Sequence, residues 1–204
     1  MLHSLSPFTV LILVFDDVDA LACGGPSDIF GSAVDTRGEP YCLVKTVAPR
    51  PGTVRCAGGL AIHPDHSLRD APRADLIIAP GGVGRVREMT DDRLIEWIRA
   101  RSLETPLMLS IGTGAFLLAA AGALEGREAT TDPSAAEELG MRHPRVKVSA
   151  GEWLVDAGPV VTSRGGIAGI RACLHVLARV MGADAAERAG RSLCGPESWS
   201  DPRA

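Results

Sequence analysis

Between Leu107 and Ala121 the chain passes from a short apolar run, Leu107–Ser110, through Ile111-Gly112-Thr113-Gly114 and straight into the apolar stretch Ala115–Ala121. Neither half leaves a polar face for water, so both halves call for cover from other elements. The arrangement reads as a buried strand feeding a helix through a sharp turn. Such a turn, at the carboxyl end of a parallel strand, lifts one residue above the sheet at the start of the next helix. Free backbone N–H groups and the helix dipole favour negative charge at that point. A Ser or Cys at the apex becomes a nucleophile, and the same field lowers a thiol pKa. Here the apex is Gly112, which accepts a strained backbone but carries no nucleophile. Two readings stand at this point: Gly112 and Gly114 simply make a tight turn, or they floor a ligand site outside the strand ends.

The rest of the chain supplies the cover. Phe8–Phe15, Cys42–Val47 and Leu76–Ala79 read as strands, the last ending in Pro80-Gly81-Gly82. Helical patterns lie between them: one from the Gly24-Gly25-Pro26 turn to about Val34, one capped by Thr90 and running to about Ser102, and a closing helix over Ile167–Met181. Leu60–His63 is a short stretch after Gly58-Gly59. Trp153–Val155 and Val160–Thr162 pair across Asp156-Ala157-Gly158. Alternating strands and helices predict an α/β protein with a mostly parallel sheet and helices on both faces. One domain is expected over residues 1–204, with its core at about 8–190 and an extended tail over 194–204.

Composition removes several function classes. The net charge of −4 and 4% aromatic content speak against nucleic acid as a partner. Phe8–Phe15 is too short to span a bilayer and has neither the basic start nor the cleavage site of a signal peptide, so a cytoplasmic protein with no membrane partner is expected. Five scattered cysteines with no C-x-x-C pair, and no histidine pair at zinc spacing, call for neither disulfides nor metal, and no cofactor is expected.

Pro80-Gly81-Gly82, the run Ser110-Ile111-Gly112-Thr113-Gly114-Ala115-Phe116, Arg127-Glu128-Ala129-Thr130-Thr131 and Val161-Thr162-Ser163-Arg164-Gly165 together resemble the DJ-1/PfpI superfamily. More narrowly they resemble its isonitrile-hydratase branch and the related domains of AraC-type regulators. Phe15-Asp16 and Gly25-Pro26 fit the same pattern, and the likeness runs from about Val10 to Met181. It implies a flavodoxin-like three-layer sandwich, a homodimer and a small-molecule site built around Gly81, Gly82, Gly112 and Thr113.

The departures bear on function. In the isonitrile-hydratase branch the position of Gly112 holds the catalytic Cys, the position of Ala22 an Asp that bonds near it, and the position of Asp132 commonly a His. With all three replaced, thiol-based hydration, glyoxalase or deglycase chemistry and proteolysis are not expected. Replacing the thiol by hydrogen is expected to vacate space for a bulkier substrate. Asp132, followed by Pro133 at a helix start, is the expected acid or base. Thr113 fronts the turn beside Gly114, and Cys23 can face the pocket as a replacement nucleophile, although a small buried hydrophobe is the plainer reading. Asp17 and Asp19 read mainly as solvated loop acids, with Asp17 kept as a candidate at the pocket. Trp153 and Arg164 approach from later loops, Arg164 as an anion clamp. The expectation is an enzyme that hydrates, dehydrates, isomerises or cyclises a small molecule without covalent catalysis. The alternative is a ligand-binding or regulatory module, which the lack of a helix-turn-helix extension in this chain makes the second choice.

Overall fold

The computed structural model describes residues 7–35 and 37–194. In chain order the elements are β1 (Phe8–Leu13), α1 (Ala20–Gly31), β2 (Cys42–Ala48), β3 (Val54–Arg55), β4 (Ala61–Ile62), β5 (His66–Ser67), β6 (Leu76–Ala79), α2 (Arg85–Glu88) and α3 (Asp92–Glu104). They continue with β7 (Leu107–Ile111), α4 (Ala115–Ala120), β8 (Glu128–Ala129), α5 (Ala136–Arg142), β9 (Lys147–Val148), β10 (Leu154–Asp156), β11 (Val160–Ser163), α6 (Ile167–Met181) and α7 (Ala183–Cys194).

Seven strands form the central sheet in the order β10-β11-β7-β6-β1-β2-β5. Every pairing is parallel except β10 with β11. The central strands β6, β7 and β11 are buried at every residue, the buried Ser110, Thr162 and Ser163 included, as expected of strands covered on both faces. Helices α1, α6 and α7 pack against one another, while α4 packs with α2 and α3. This is the expected α/β sandwich, with helices on both faces of a mostly parallel sheet. Among the described residues no helix is long and apolar enough to cross a membrane.

Three local expectations change. The Gly24-Gly25-Pro26 segment lies inside α1, which starts earlier, at Ala20. Gly25 serves close packing: a β-carbon there would stand 2.2 Å from Ile170 Cδ1, where α6 crosses. Thr90 does not cap α3; Asp91 does, its carboxylate accepting from the Arg93 and Leu94 N–H groups. A further helix, α7, follows α6 after a break at Gly182, whose φ of +90° favours glycine. The expected extended tail lies outside the described residues beyond Cys194.

Candidate active site at the strand-to-helix turn

The turn after β7 has the expected form. Gly112 sits at φ +57° and opens a single 3-10 turn, Gly112–Gly114, that runs into α4. Gly114 is held against the neighbouring strand, because a β-carbon there would lie 1.9 Å from the Ala79 carbonyl oxygen. Gly81 lies over the turn, where a β-carbon would come within 3.0 Å of Thr113 N and Thr113 Oγ1. On the far side the Thr131 hydroxyl donates to the Gly112 carbonyl (2.9 Å), and the Thr130 N–H donates to Thr162 Oγ1 (2.8 Å). Both threonines are fully buried, so these bonds tie the segment from β8 to Asp132 to the turn and to β11.

Asp132 caps the 3-10 turn Pro133–Ala135, as its sequence predicts. Its Oδ1 accepts from the Ser134 N–H (2.9 Å) and the Ser134 hydroxyl (2.6 Å). Its Oδ2 turns the other way: a β-carbon on Gly165 would stand 3.7 Å from Oδ2 and 3.6 Å from the Gly112 Cα. One oxygen therefore fixes the side chain, and the other faces the Gly112–Gly165 contact. Arg85 steadies the same loop from behind, its guanidinium 3.8 Å above the Phe116 ring and 2.6 Å from Glu138 at the start of α5.

Several candidates stand differently from expectation. The Gly112 side of the turn is not vacant: a β-carbon built there would meet Gly165 Cα at 3.1 Å. The Gly165 backbone comes close enough to crowd a β-carbon there by a few tenths of an ångström. The Gly82 N–H is not a free donor, since it is given to Thr113 Oγ1 (3.1 Å). Cys23 is buried, and burial pushes its thiol pKa up, with further contributions from Cys56 and Asp19. It is a protonated thiol at neutral pH rather than a nucleophile. Ala22 is buried beside it as a plain methyl. Asp17 adopts φ +64° and points outward to Arg87, 3.7 Å away, because the chain turns sharply over Gly82 there. Arg164 gives its Nη2 to the Ala150 and Gly151 carbonyls (2.7 and 2.8 Å), which turns that nitrogen toward the loop before β10, while its buried Nε has no partner among the described residues. Trp153 lies beneath the Arg171 guanidinium, 5.9 Å from it.

Sequence reasoning passed over Glu88, which is fully buried and takes Arg50 by both oxygens (2.9 and 3.0 Å) and Arg87 (2.9 Å). Arg87 in turn donates to the Asp16 carbonyl (2.8 Å) and so holds the loop leading to Asp19. Burial pushes the Glu88 carboxyl up despite the arginines around it. A cleft of about 440 Å³ at the β5 edge, lined by Arg50, His63, His66 and Arg69 among others, contains no residue of the turn.

The comparisons agree with this architecture. The DJ-1/PfpI family profile matches residues 8–179, and the chain belongs to that family. It is 30% identical over 176 residues to the isonitrile hydratase of Pseudomonas putida, covering 86% of this chain and 73% of that one. It is also 30% identical over 131 residues to the HTH-type transcriptional regulator CdhR of Pseudomonas aeruginosa, covering 64% of this chain and 38% of the regulator. A THiJ/PfpI family protein from Pseudomonas syringae superposes with a TM-score of 0.84 at 25% identity, covering 98% of this chain and 78% of that one.

Gly112→Cys tests what the turn tolerates. The variant should fold but lose about 1–2 kcal/mol, from left-handed backbone at a non-glycine residue and the tight contact with Gly165. It should gain no thiol activity, since Ala22 offers no acid to partner the sulfur. Denaturant unfolding and an isonitrile-hydration assay check the two halves.

Proposed function

We propose that this chain is a small-molecule enzyme of the isonitrile hydratase-like type that works without a covalent cysteine step. It hydrates, dehydrates, isomerises or cyclises its substrate by general acid–base catalysis, as a lyase or cyclase of specialised biosynthesis. The observation carrying this reading is the free Oδ2 of Asp132, which faces the Gly112–Gly165 contact where related chains carry the thiol. A carboxylate fixed by one oxygen and free at the other is suited to taking a proton from a bound molecule. Thr113, half-buried at the front of the turn, accepts from Gly82 and keeps its own hydroxyl proton for a ligand. On this reading the protein works in the cytoplasm, as a homodimer, on a small organic molecule, with neither nucleic acid nor membrane as partner.

The similarity to CdhR favours a second reading, a ligand-binding or regulatory domain that has kept the fold and lost catalysis. Thermal-shift screening against a metabolite collection separates the two. A stabilising compound recovered converted supports the enzyme, and one recovered unchanged supports the binding domain. If Asp132→Asn and Thr113→Val both left turnover of the converted compound intact, acid–base catalysis by this turn would be ruled out.

A further inference from the structure

We propose that Asp19 is the second acid–base residue of this site, working across the glycine floor from Asp132. The inference rests on the acid–base reading of Asp132 and adds the group that reading lacks, a proton donor opposite the base.

Asp19 occupies the N-cap position of α1, with the extended backbone (φ −71°, ψ 119°) usual there. An Asp at that position ordinarily accepts from the first-turn N–H groups and adds about 1 kcal/mol to helix stability. Asp19 makes no such bond, and among the described residues its carboxyl has no ion pair or hydrogen bond to any side chain. Its backbone is nevertheless held firmly. The Asp19 N–H donates to the Gly81 carbonyl (2.9 Å), and Val18 bridges to Gly82. A β-carbon on Gly82 would stand 2.8 Å from Asp19 N, so the two backbones touch. Gly81 in turn touches Thr113, the residue after the apex. Asp19 thus stands on the Gly81–Thr113 side of the turn and Asp132 on the Gly165 side.

The electrostatics fit this placement. Although Asp19 is exposed as a residue, its carboxyl is raised above the ordinary range, first by lost hydration and then by the charge of Asp132. The other titratable groups that sense it are the Cys23 thiol from α1 and the Cys56 thiol at the β3–β4 turn, both themselves pushed up in part by the Asp19 charge. Arg87, the arginine that bonds this loop at Asp16 and Asp17, is taken by them and by Glu88. One helical turn after Asp19 comes Ala22, a buried methyl with no polar group to offer. Asp19 supplies a carboxyl to the same end of α1 from the preceding turn.

In the step this permits, Asp132 as carboxylate takes a proton from water or from a C–H or N–H of the substrate, while protonated Asp19 gives one to the oxygen or nitrogen that gains electron density. Turnover leaves Asp132 protonated and Asp19 ionised, and exchange with bulk water restores both.

Titration of protein carrying ¹³C-labelled aspartate carboxyls, in wild type, Asp132→Asn and Asp19→Asn, decides the geometry without any substrate. Asp19 should titrate above ordinary aspartate in the wild type and move down in Asp132→Asn. An Asp19 midpoint that Asp132→Asn leaves unmoved overturns the pair. Kinetics with a compound that the wild type converts decide the role. Asp19→Asn should lower kcat at least 100-fold and flatten the fall in rate at high pH, where the wild type loses the Asp19 proton. Retention of kcat within twofold overturns the assignment. A wild type that converts nothing while the Asp19 midpoint still moves down in Asp132→Asn overturns the acid–base reading itself, and the catalytic role of Asp19 with it, leaving the geometry standing.

Discussion

Gly114→Ala should be the most damaging single-atom change at the turn, with a loss on the order of 4 kcal/mol. The added β-carbon would lie 1.9 Å from the Ala79 carbonyl oxygen, 2.7 Å from the Ala79 carbonyl carbon and 2.9 Å from that of Pro80. All three are backbone atoms at the end of a central strand, buried on both faces, so no flexible side chain can give way. Relief requires β6 and β7 to part or α4 to shift, and each breaks the Gly81–Thr113 contact that shapes the site. For a chain of this length the loss corresponds to a fall in Tm of roughly 8–16 °C. Gly24→Ala is the control. Its β-carbon would meet nothing within 4 Å inside α1, and removing helix-interior glycine should add about 0.5–1 kcal/mol. A Gly114→Ala protein that melts within 2 °C of wild type would mean that the turn is not packed as described.

The contrast between these two glycines shows which parts of the molecule the sequence discloses. The turn after β7 is legible because its pattern is local: an apolar run, two glycines and an apolar helix specify a strand, a tight turn and a buried helix with little help from elsewhere. β6 and α6 match their predicted bounds for the same reason, since Leu76–Ala79 and Ile167–Met181 carry their periodicity within themselves. The start of α1 is less legible. Gly24-Gly25-Pro26 reads as a turn by local chemistry, and only the crossing of Ile170 shows why glycine is wanted within a helix. The end of the chain shows a similar gap, because α7 follows α6 after a single glycine break.

The site divides along the same line. Gly112, Thr113 and Asp132 are visible in sequence because each belongs to a short motif. The free side of Asp132, the crowding of Gly112 by Gly165 and the bonds of Arg164 Nη2 to two carbonyls depend on contacts between distant segments. Asp19 is the clearest case. Read locally it is a capping acid ahead of a helix, and its place beside the turn comes from the pairing of Val18 with Gly82. Glu88 likewise reads as one more surface carboxylate until Arg50 and Arg87 are seen to enclose it.

Asp132→Asn should lower kcat by a factor of roughly 10²–10⁴ for the compound that the wild type converts, the range expected when a positioned acid–base group is lost. The substitution is chosen because it separates charge from structure. Asparagine is as good an N-cap as aspartate, so its side-chain oxygen can keep the Ser134 N–H that Oδ1 now holds at 2.9 Å. The buried Thr131 bond to Gly112 and the Arg85–Glu138 pair are untouched, so the loop should stay where it is. Tm should therefore stay within a few degrees of wild type, while Asp132→Ala, which loses the cap as well, should also lose about 1 kcal/mol of stability. The amide that replaces Oδ2 can donate but cannot take a proton, so binding can survive while the chemical step fails. The expected pattern is a large fall in kcat with little change in KM. If kcat held within threefold while Tm was unchanged, Asp132 would be a helix cap and nothing more, and the free oxygen over Gly165 would have no part in the chemistry.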